Sequence, residues 1–112
     1  MVKTETYRKH VQDIIRKYAD FKTIYGNELE AQTIFDTVND HYQLVRAGWH
    51  DKKRIYGCVV HIDIKNSKIW IQHDGTEKGI ANELVALGIP KEDIVLAFHA
   101  PYKRSYTGFA VN

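Results

Sequence analysis

The residues of this chain that could do chemistry are concentrated in one alternating stretch, RIYGCVVHIDIKNSKIWIQHDG, from Arg54 to Gly75. Within it, His61 and Asp63 are two positions apart, which places an imidazole and a carboxylate on the same face of a strand. Both groups are common ligands of transition metals. Asp63 and Lys65 also match the D-x-K part of a metal-dependent nuclease signature. His61, Asp63 and Lys65 therefore form a candidate polar cluster, and a metal-dependent nuclease is the enzymatic alternative.

The surroundings of this cluster favour a structural role. The chain has no HExxH pattern, and its single cysteine excludes a zinc knuckle. With a two-residue turn at Asn66-Ser67, His61 opposes Gln72 while His73 points to the core, so the ligands diverge. No upstream acid is placed beside Asp63, and neither a nucleophile elbow nor a phosphate-cradling glycine pattern is present. We therefore predict no catalytic residue, no metal and no cofactor.

Basic residues in two places suggest a nucleic-acid contact. One group lies on the polar face of the N-terminal helix, and the other lies between tyrosines in the tail, where aromatic and positive side chains could hold a single strand. The candidate contacts are Lys9, Arg16, Lys103 and Arg104. The alternative is a solvated helix face, with a tail that packs its tyrosines on the sheet and directs its cations outward. A net charge of +2 does not indicate nucleic-acid binding over the whole surface.

The element that must position the polar cluster is a β-hairpin with its turn at Asn66-Ser67. This turn predicts the opposing pairs Ile64–Ile69, Ile62–Ile71 and Val60–His73. Alternation predicts a core face of Tyr56, Cys58, Val60, Ile62, Ile64, Ile69 and Ile71. The second face carries Val59 and Trp70, and such a face is rarely left in water. A helix or another chain should cover it.

The remaining elements follow from periodicity and turn residues. Apolar residues at helical spacing predict a helix over about 4–21. Residues 30–38 and 41–49 read as strands joined by an Asn39-Asp40 turn, which would pair Phe35 with Leu44. A second helix opens at Thr76 and stops at Gly88. Residues 94–98 are a buried strand or a helix end. The chain is therefore predicted to be α+β, an antiparallel meander of about four strands with an N-terminal and a C-terminal helix packed on it.

Length and composition are consistent with one domain over residues 1–112. No apolar run approaches the ~18 residues of a membrane span, and no apolar signal region opens the chain. With one cysteine, these features lead us to expect a cytoplasmic protein. Seven tyrosines and two tryptophans favour a protein interface. The candidate interface residues are Val59, Trp70, Trp49, Tyr102 and Tyr106.

Three long stretches resemble one family. They are Thr33–Trp49, Arg54–Val85 and Gly88–Val111, and they are similar to the XisI-like family, the fdxN-element excision controlling factors of cyanobacteria. The similarity extends over nearly the whole chain and rests on long ordered strings rather than on one short motif.

The resemblance implies a small α+β domain of the XisI-like fold that self-associates. It further implies an accessory role in programmed excision of a DNA element by site-specific recombination during heterocyst differentiation. Such a factor acts beside a recombinase and a companion excision factor protein. The resemblance implies no catalytic residues for this chain. Control of excision needs only a bound protein partner, so we expect a non-enzymatic homo-oligomer with indirect contact to DNA; a direct DNA-binding protein is the alternative.

Overall fold

A computed structural model of the chain describes residues 2–21, 26 and 28–112. It has two α-helices and a five-stranded sheet in the order β1-β2-β3-β4-β5. The elements are α1 (Val2–Ala19), β1 (Leu29–Asp36), β2 (His41–His50), β3 (Lys53–Lys65), β4 (Lys68–Asp74), α2 (Ile80–Ala86) and β5 (Ile94–Leu96). Short 3-10 helices span Lys91–Asp93 and Pro101–Tyr106. The α+β class and the antiparallel meander are confirmed, and a short parallel strand, β5, is added beside β4.

One face of the sheet, called here the inner face, carries the core. Both helices pack on it, so apolar residues of α1 and α2 join the isoleucines of β3 and β4 in one cluster. The predicted inner positions Val60, Ile62, Ile64, Ile69 and Ile71 are all buried. A one-residue change of register would move these five residues to the outer face, so their burial on the inner face fixes the pairing of the two strands.

The turn between β3 and β4 is where the sequence predicts it. Asn66 and Ser67 both have positive φ, 55° and 61°, as a two-residue turn matched to strand twist requires. The Ile64–Ile69 and Ile62–Ile71 pairs are confirmed. The predicted Val60–His73 pair is wrong. The register shifts between His61 and Ile62, leaving Gln72 unpaired, so that Val60 pairs with Asp74.

A second register shift, between β2 and β3, overturns part of the predicted core face. Leu44 pairs with Val60 and Val45 pairs with Cys58, so Val59 is an extra residue in β3. A bulge of this kind reverses the alternation on one side of it. Tyr56 and Cys58, predicted to be core, therefore lie on the outer face and are exposed. Val59, predicted for the second face, packs against the core.

The β1–β2 turn is two residues longer than predicted. Phe35 pairs with Tyr42 rather than with Leu44. The Asp36 carboxylate accepts hydrogen bonds from the backbone N–H groups of Val38 and Asn39, each at 3.0 Å, which stabilises the wider turn. A change of two residues preserves the face, so Phe35 still packs on the inner side, with its ring 5.7 Å from that of Tyr42.

Helix α2 begins at Ile80, four residues after the predicted start at Thr76. Asp74 holds the intervening loop. Its carboxylate accepts from the Ile80 N–H at 2.8 Å and from the Thr76 N–H and hydroxyl at 2.9 and 2.6 Å. A carboxylate at the N-terminus of a helix satisfies free N–H groups and interacts favourably with the helix dipole. The predicted stop is confirmed: the helix ends at Ala86, and Gly88 follows with φ 94°.

The C-terminal segment, residues 97–112, covers the β4–β5 part of the outer face. Arg104 donates to the backbone oxygens of Ala97 and His99 at 3.3 and 3.1 Å. Its guanidinium lies 5.8 Å from the centre of the Trp70 ring. The tail therefore packs through Arg104, with Tyr102 and Tyr106 exposed, which reverses the predicted arrangement. In the ranges that the structure describes, neither helix is long and apolar enough to cross a membrane.

Candidate functional site

A polar cluster lies on the outer face, where β2, β3 and β4 run side by side. His41 begins β2 and pairs directly with Asp63 of β3. His61 lies two residues before Asp63 and so shares its face. Gln72, the unpaired residue of β4, lies on the other side. These four residues are called here the outer-face cluster. Because a β-sheet holds each backbone through its neighbours, the cluster is positioned by paired strands and not by a loop.

Asp63 is the centre of the cluster. Its Oδ1 lies 2.8 Å from His41 Nδ1 and 3.0 Å from His61 Nε2. Its Oδ2 accepts a hydrogen bond of 3.1 Å from Gln72 Nε2. The Asp63 side chain is only 14% exposed, whereas that of His41 is 55% exposed. The carboxylate therefore sits in the sheet surface with one imidazole beside it and another at its solvent edge.

The negative charge of Asp63 affects the pKa of His41. Its hydrogen bond with Asp63, and the negative charge of that carboxylate, raise the pKa of the His41 imidazole above its ordinary value. A nearby opposite charge favours the protonated form in this way. The cluster can therefore hold a positive charge at its exposed end, supplied either by a proton or by a cation.

The structure revises the predicted membership of this cluster. His61 and Asp63 come together as expected, and His41, which was not predicted, joins them. His73 was predicted to point to the core, with Gln72 opposite His61, but His73 itself pairs with His61 and is exposed. Lys65 turns to Trp70, and its Nζ lies 4.0 Å from the centre of that ring. His41 was missed because it is 22 residues from Asp63 and begins a different strand. Its only signal in the sequence is its position directly after a turn, at the mouth of the first hairpin.

The five predicted interface residues are divided among three environments. Val59 packs against the core, and Trp70 is 9% exposed beneath Lys65 and Arg104. Trp49 is exposed near the β2–β3 turn, while Tyr102 and Tyr106 are exposed on the C-terminal 3-10 helix. Trp70 is therefore covered by its own chain, and the remaining three aromatic residues are in contact with water.

The sequence missed two members of the exposed outer surface. Arg54 and Tyr56 of β3 lie beside Trp49, with the Arg54 guanidinium 5.6 Å from the Trp49 ring and 5.9 Å from the Tyr56 ring. Both aromatic rings are exposed. This group is called here the outer aromatic surface: Trp49, Arg54 and Tyr56. Tyr56 reaches it only because the bulge at Val59 reverses the face of the strand.

The four predicted nucleic-acid contacts do not form one surface. Lys9 pairs with Asp13 at 3.0 Å, and the Arg16 guanidinium lies 5.1 Å from the Phe35 ring, both on the α1 side of the sheet. Arg104 stacks on Trp70, on the outer face, and Lys103 lies 5.9 Å from the Tyr102 ring. The two basic groups therefore lie on opposite faces of the sheet, and Arg104 is engaged with its own chain.

An open groove lies on the inner face, between the end of α1, the first half of β3 and the loop after Gly75. Its volume is about 1180 Å³, and apolar residues such as Leu29 and Ile55 line it. Arg46, on its wall, donates to the backbone oxygens of Tyr18 and Phe21 at 2.9 Å. This arginine therefore caps the C-terminal end of α1, where carbonyl groups lack helical partners.

Comparison with known proteins gives a consistent result. A model of the XisI protein family matches residues 1–111. The crystal structure of a XisI-like protein from Anabaena variabilis ATCC 29413 is similar at 43% identity, over 97% of this chain and 99% of that one, with a TM-score of 0.89. The structure of the fdxN element excision controlling factor XisI from the same organism is 38% identical, over 98% and 99%, with a TM-score of 0.84. No curated protein matches the chain. The match of the family model over nearly every residue, together with these two structures, shows that this chain belongs to the XisI family.

Proposed function

We propose that this protein is an accessory controlling factor for programmed excision of a DNA element, and that it acts without catalysis by binding protein partners as a homo-oligomer. Membership of the XisI family supports the excision role, since one structural relative is named as the fdxN element excision controlling factor. Its place of action is the cytoplasm, where the DNA and the recombinase are.

The observation that carries the proposal is the open part of the outer face. Both helices pack on the inner face, and the C-terminal segment covers the outer face only at β4 and β5. On β1–β3, the outer aromatic surface leaves Trp49 57% and Tyr56 70% exposed. Aromatic residues and arginine contribute most to binding at protein interfaces, because they bury a large area and keep a polar group for pairing.

A second copy of the chain is the first partner that this surface fits. The surface combines two exposed aromatic rings with one guanidinium, so two copies related by a twofold axis could place rings on rings and Arg54 on an aromatic face. A companion excision factor protein would then bind the assembled oligomer.

Light scattering coupled to size-exclusion chromatography tests the oligomer and its surface. The wild type should have at least twice the 13.0 kDa mass of one chain. Trp49→Glu with Tyr56→Glu should lower this mass, because two buried carboxylates would have no partner. Tyr106→Glu is the matched control, since Tyr106 is exposed but lies on the C-terminal 3-10 helix.

The outcomes separate three parts of the proposal. A monomeric wild type would contradict the homo-oligomer. A wild-type oligomer that survives the double substitution, or that dissociates with Tyr106→Glu, would contradict the outer aromatic surface as its interface. Co-expression with the companion factor should give a complex that elutes together, and separate elution at micromolar concentration would contradict partner binding.

A further inference from the structure

We propose that His41, His61 and Asp63 form a binding site for one divalent transition-metal ion of the Zn²⁺ type. They are the one group of three or more histidine, cysteine or acidic residues within the described part of the chain whose ligand atoms converge, with His41 Nδ1, His61 Nε2 and Asp63 Oδ1 all within 4.8 Å of one another. The site is independent of the proposed role in excision.

The distances suit a small cation. Zinc binds imidazole nitrogen and carboxylate oxygen at about 2.0–2.2 Å, and tetrahedral geometry then separates two ligand atoms by about 3.3 Å. Asp63 Oδ1 lies 2.8 Å from His41 Nδ1 and 3.0 Å from His61 Nε2. The two pairs must therefore open by about 0.5 and about 0.3 Å. Small rotations about the side-chain bonds of His41 and His61, which are 55% and 30% exposed, provide that movement.

The surroundings of Asp63 resemble the outer shell of a metal site. Gln72 Nε2 holds Oδ2 at 3.1 Å, so Oδ1 is directed to the two imidazoles. Such outer partners orient a ligand, and their loss commonly weakens metal binding about 10–100-fold. Ile62 and Ile64, on either side of Asp63 in the strand, are buried on the inner face and fix the backbone of β3.

The ligand types decide the class of metal. Two imidazoles and one carboxylate suit zinc, cobalt, nickel or copper, whereas magnesium and calcium prefer oxygen ligands throughout. Three protein ligands leave at least one position for water, at the solvent side where His41 is exposed. The site is therefore of the open kind and not a closed structural zinc site with four protein ligands.

The test uses the full chain without a histidine tag, after EDTA treatment, at about pH 8, where an ordinary imidazole is neutral. Zn²⁺ is titrated by calorimetry, and Co²⁺ is titrated by its visible absorption. We expect one ion per chain, with cobalt bands typical of nitrogen and oxygen ligands. His41→Ala, His61→Ala and Asp63→Asn should each weaken binding by at least about 100-fold, more than an outer-shell change does. The control is His10→Ala, on α1.

Two results would overturn the site. One is a wild type that binds neither ion at 100-fold excess. The other is binding that persists in the His41→Ala/His61→Ala double variant, which would mean that metal binds elsewhere. Circular dichroism in EDTA checks that each variant is folded. Light scattering in EDTA tests the proposed homo-oligomer separately from the metal site. An oligomer that persists in EDTA supports the proposed function, whatever the metal titration shows.

Discussion

At the scale of residues, three carboxylates attach α1 to the rest of the molecule. Each accepts a hydrogen bond from a tyrosine hydroxyl and pairs with a cation. They are Asp40 with Tyr42 and Arg8, Glu83 with Tyr18 and Lys17, and Asp93 with Tyr7 and Lys3. Because α1 supplies at least one partner to every group, these contacts specify where the helix lies. They also satisfy polar atoms that the core would otherwise leave without partners.

All three carboxyl groups have a pKa below the ordinary value. At Asp40 the main cause is the hydrogen bond from Arg8. At Glu83 and Asp93 the largest single effect is burial, which raises the pKa, but the hydrogen bonds and positive charges of their partners together outweigh it. A carboxyl with a lowered pKa contributes stability that is present above its unfolded pKa, about 3.9–4.3, and is lost as the pH falls through the folded value.

We therefore expect Asp40→Asn to lower the free energy of unfolding by about 1.5–3 kcal/mol at pH 7, the usual contribution of a hydrogen bond to a charged group. Asparagine tolerates the positive φ of 59° at this position, so the change removes charge without adding backbone strain. Urea unfolding followed by tryptophan fluorescence measures the difference. The difference should begin to shrink as the pH falls below about 4, where the carboxyl protonates in the unfolded chain, and it should disappear only below the lowered pKa of the folded Asp40 carboxyl. A difference that is constant from pH 7 to pH 3 would contradict this origin.

At the scale of elements, α1 is attached to the inner face of the sheet by one buried apolar stripe. Val11 and Ile15 of α1 are fully buried and belong to the same cluster as Tyr42 and Leu44 of β2. The opposite surface of α1 carries Lys9 and Asp13, which pair four residues apart. An amphipathic helix of this kind is stabilised mostly by its buried face, since isolated helices of this length are marginal.

Two isoleucine substitutions, one in α1 and one on the outer face of the sheet, measure this contact. Ile15→Ala should cost about 2–5 kcal/mol in unfolding free energy, because it leaves a cavity between α1 and the sheet. Ile34→Ala is the matched control and should cost less than about 1 kcal/mol in the separated chain, because Ile34 is 47% exposed on the outer face. Equal losses for both variants would mean that α1 does not pack as described. Dilute protein is used, so that association on the outer face does not contribute.

At the scale of the whole molecule, the two faces of the sheet are covered by different parts of the chain. The helices cover the inner face, where Phe109 also packs against the core, and the C-terminal segment covers the outer face at Trp70 through Arg104. Ala110 of this segment forms a backbone bridge with Val95 of β5. Lys68 also donates to the backbone oxygen of Asn112 at 2.6 Å. The uncovered remainder, on β1–β3, carries both the outer-face cluster and the outer aromatic surface.

Removal of Arg104 tests how the C-terminal segment is attached. Arg104→Ala should expose Trp70, increase its quenching by acrylamide and lower the unfolding free energy by about 1–3 kcal/mol, through the loss of stacking and of hydrogen bonds to backbone oxygens. Lys103→Ala, the adjacent cation, is the control and should change stability by no more than about 0.5 kcal/mol. Quenching that is the same in both variants and in the wild type would show that Arg104 does not cover the ring.

The sequence by itself determined the elements that local rules specify. Alternation and the Asn66-Ser67 turn predict the central hairpin, and Gly88 predicts the end of α2, because turn and cap geometry depend on residues close in the chain. The membership of the core was predictable wherever the alternation was unbroken, as at Ile62 and Ile64. The family could also be identified from the sequence, because the resemblance rests on long ordered stretches of residues.

Only the tertiary structure decided which face the residues beyond a bulge occupy and which distant residues meet. The extra residues Val59 and Gln72 have no local signature, yet each shifts a register, and the first moves Tyr56 and Cys58 to the outer face. His41 meets Asp63 because β2 and β3 pair in one register, and Arg104 meets Trp70 because the tail returns over β4. Periodicity is a property of neighbours in the chain. The register of paired strands and the path of the C-terminal segment over β4 are set by the packing of the whole fold.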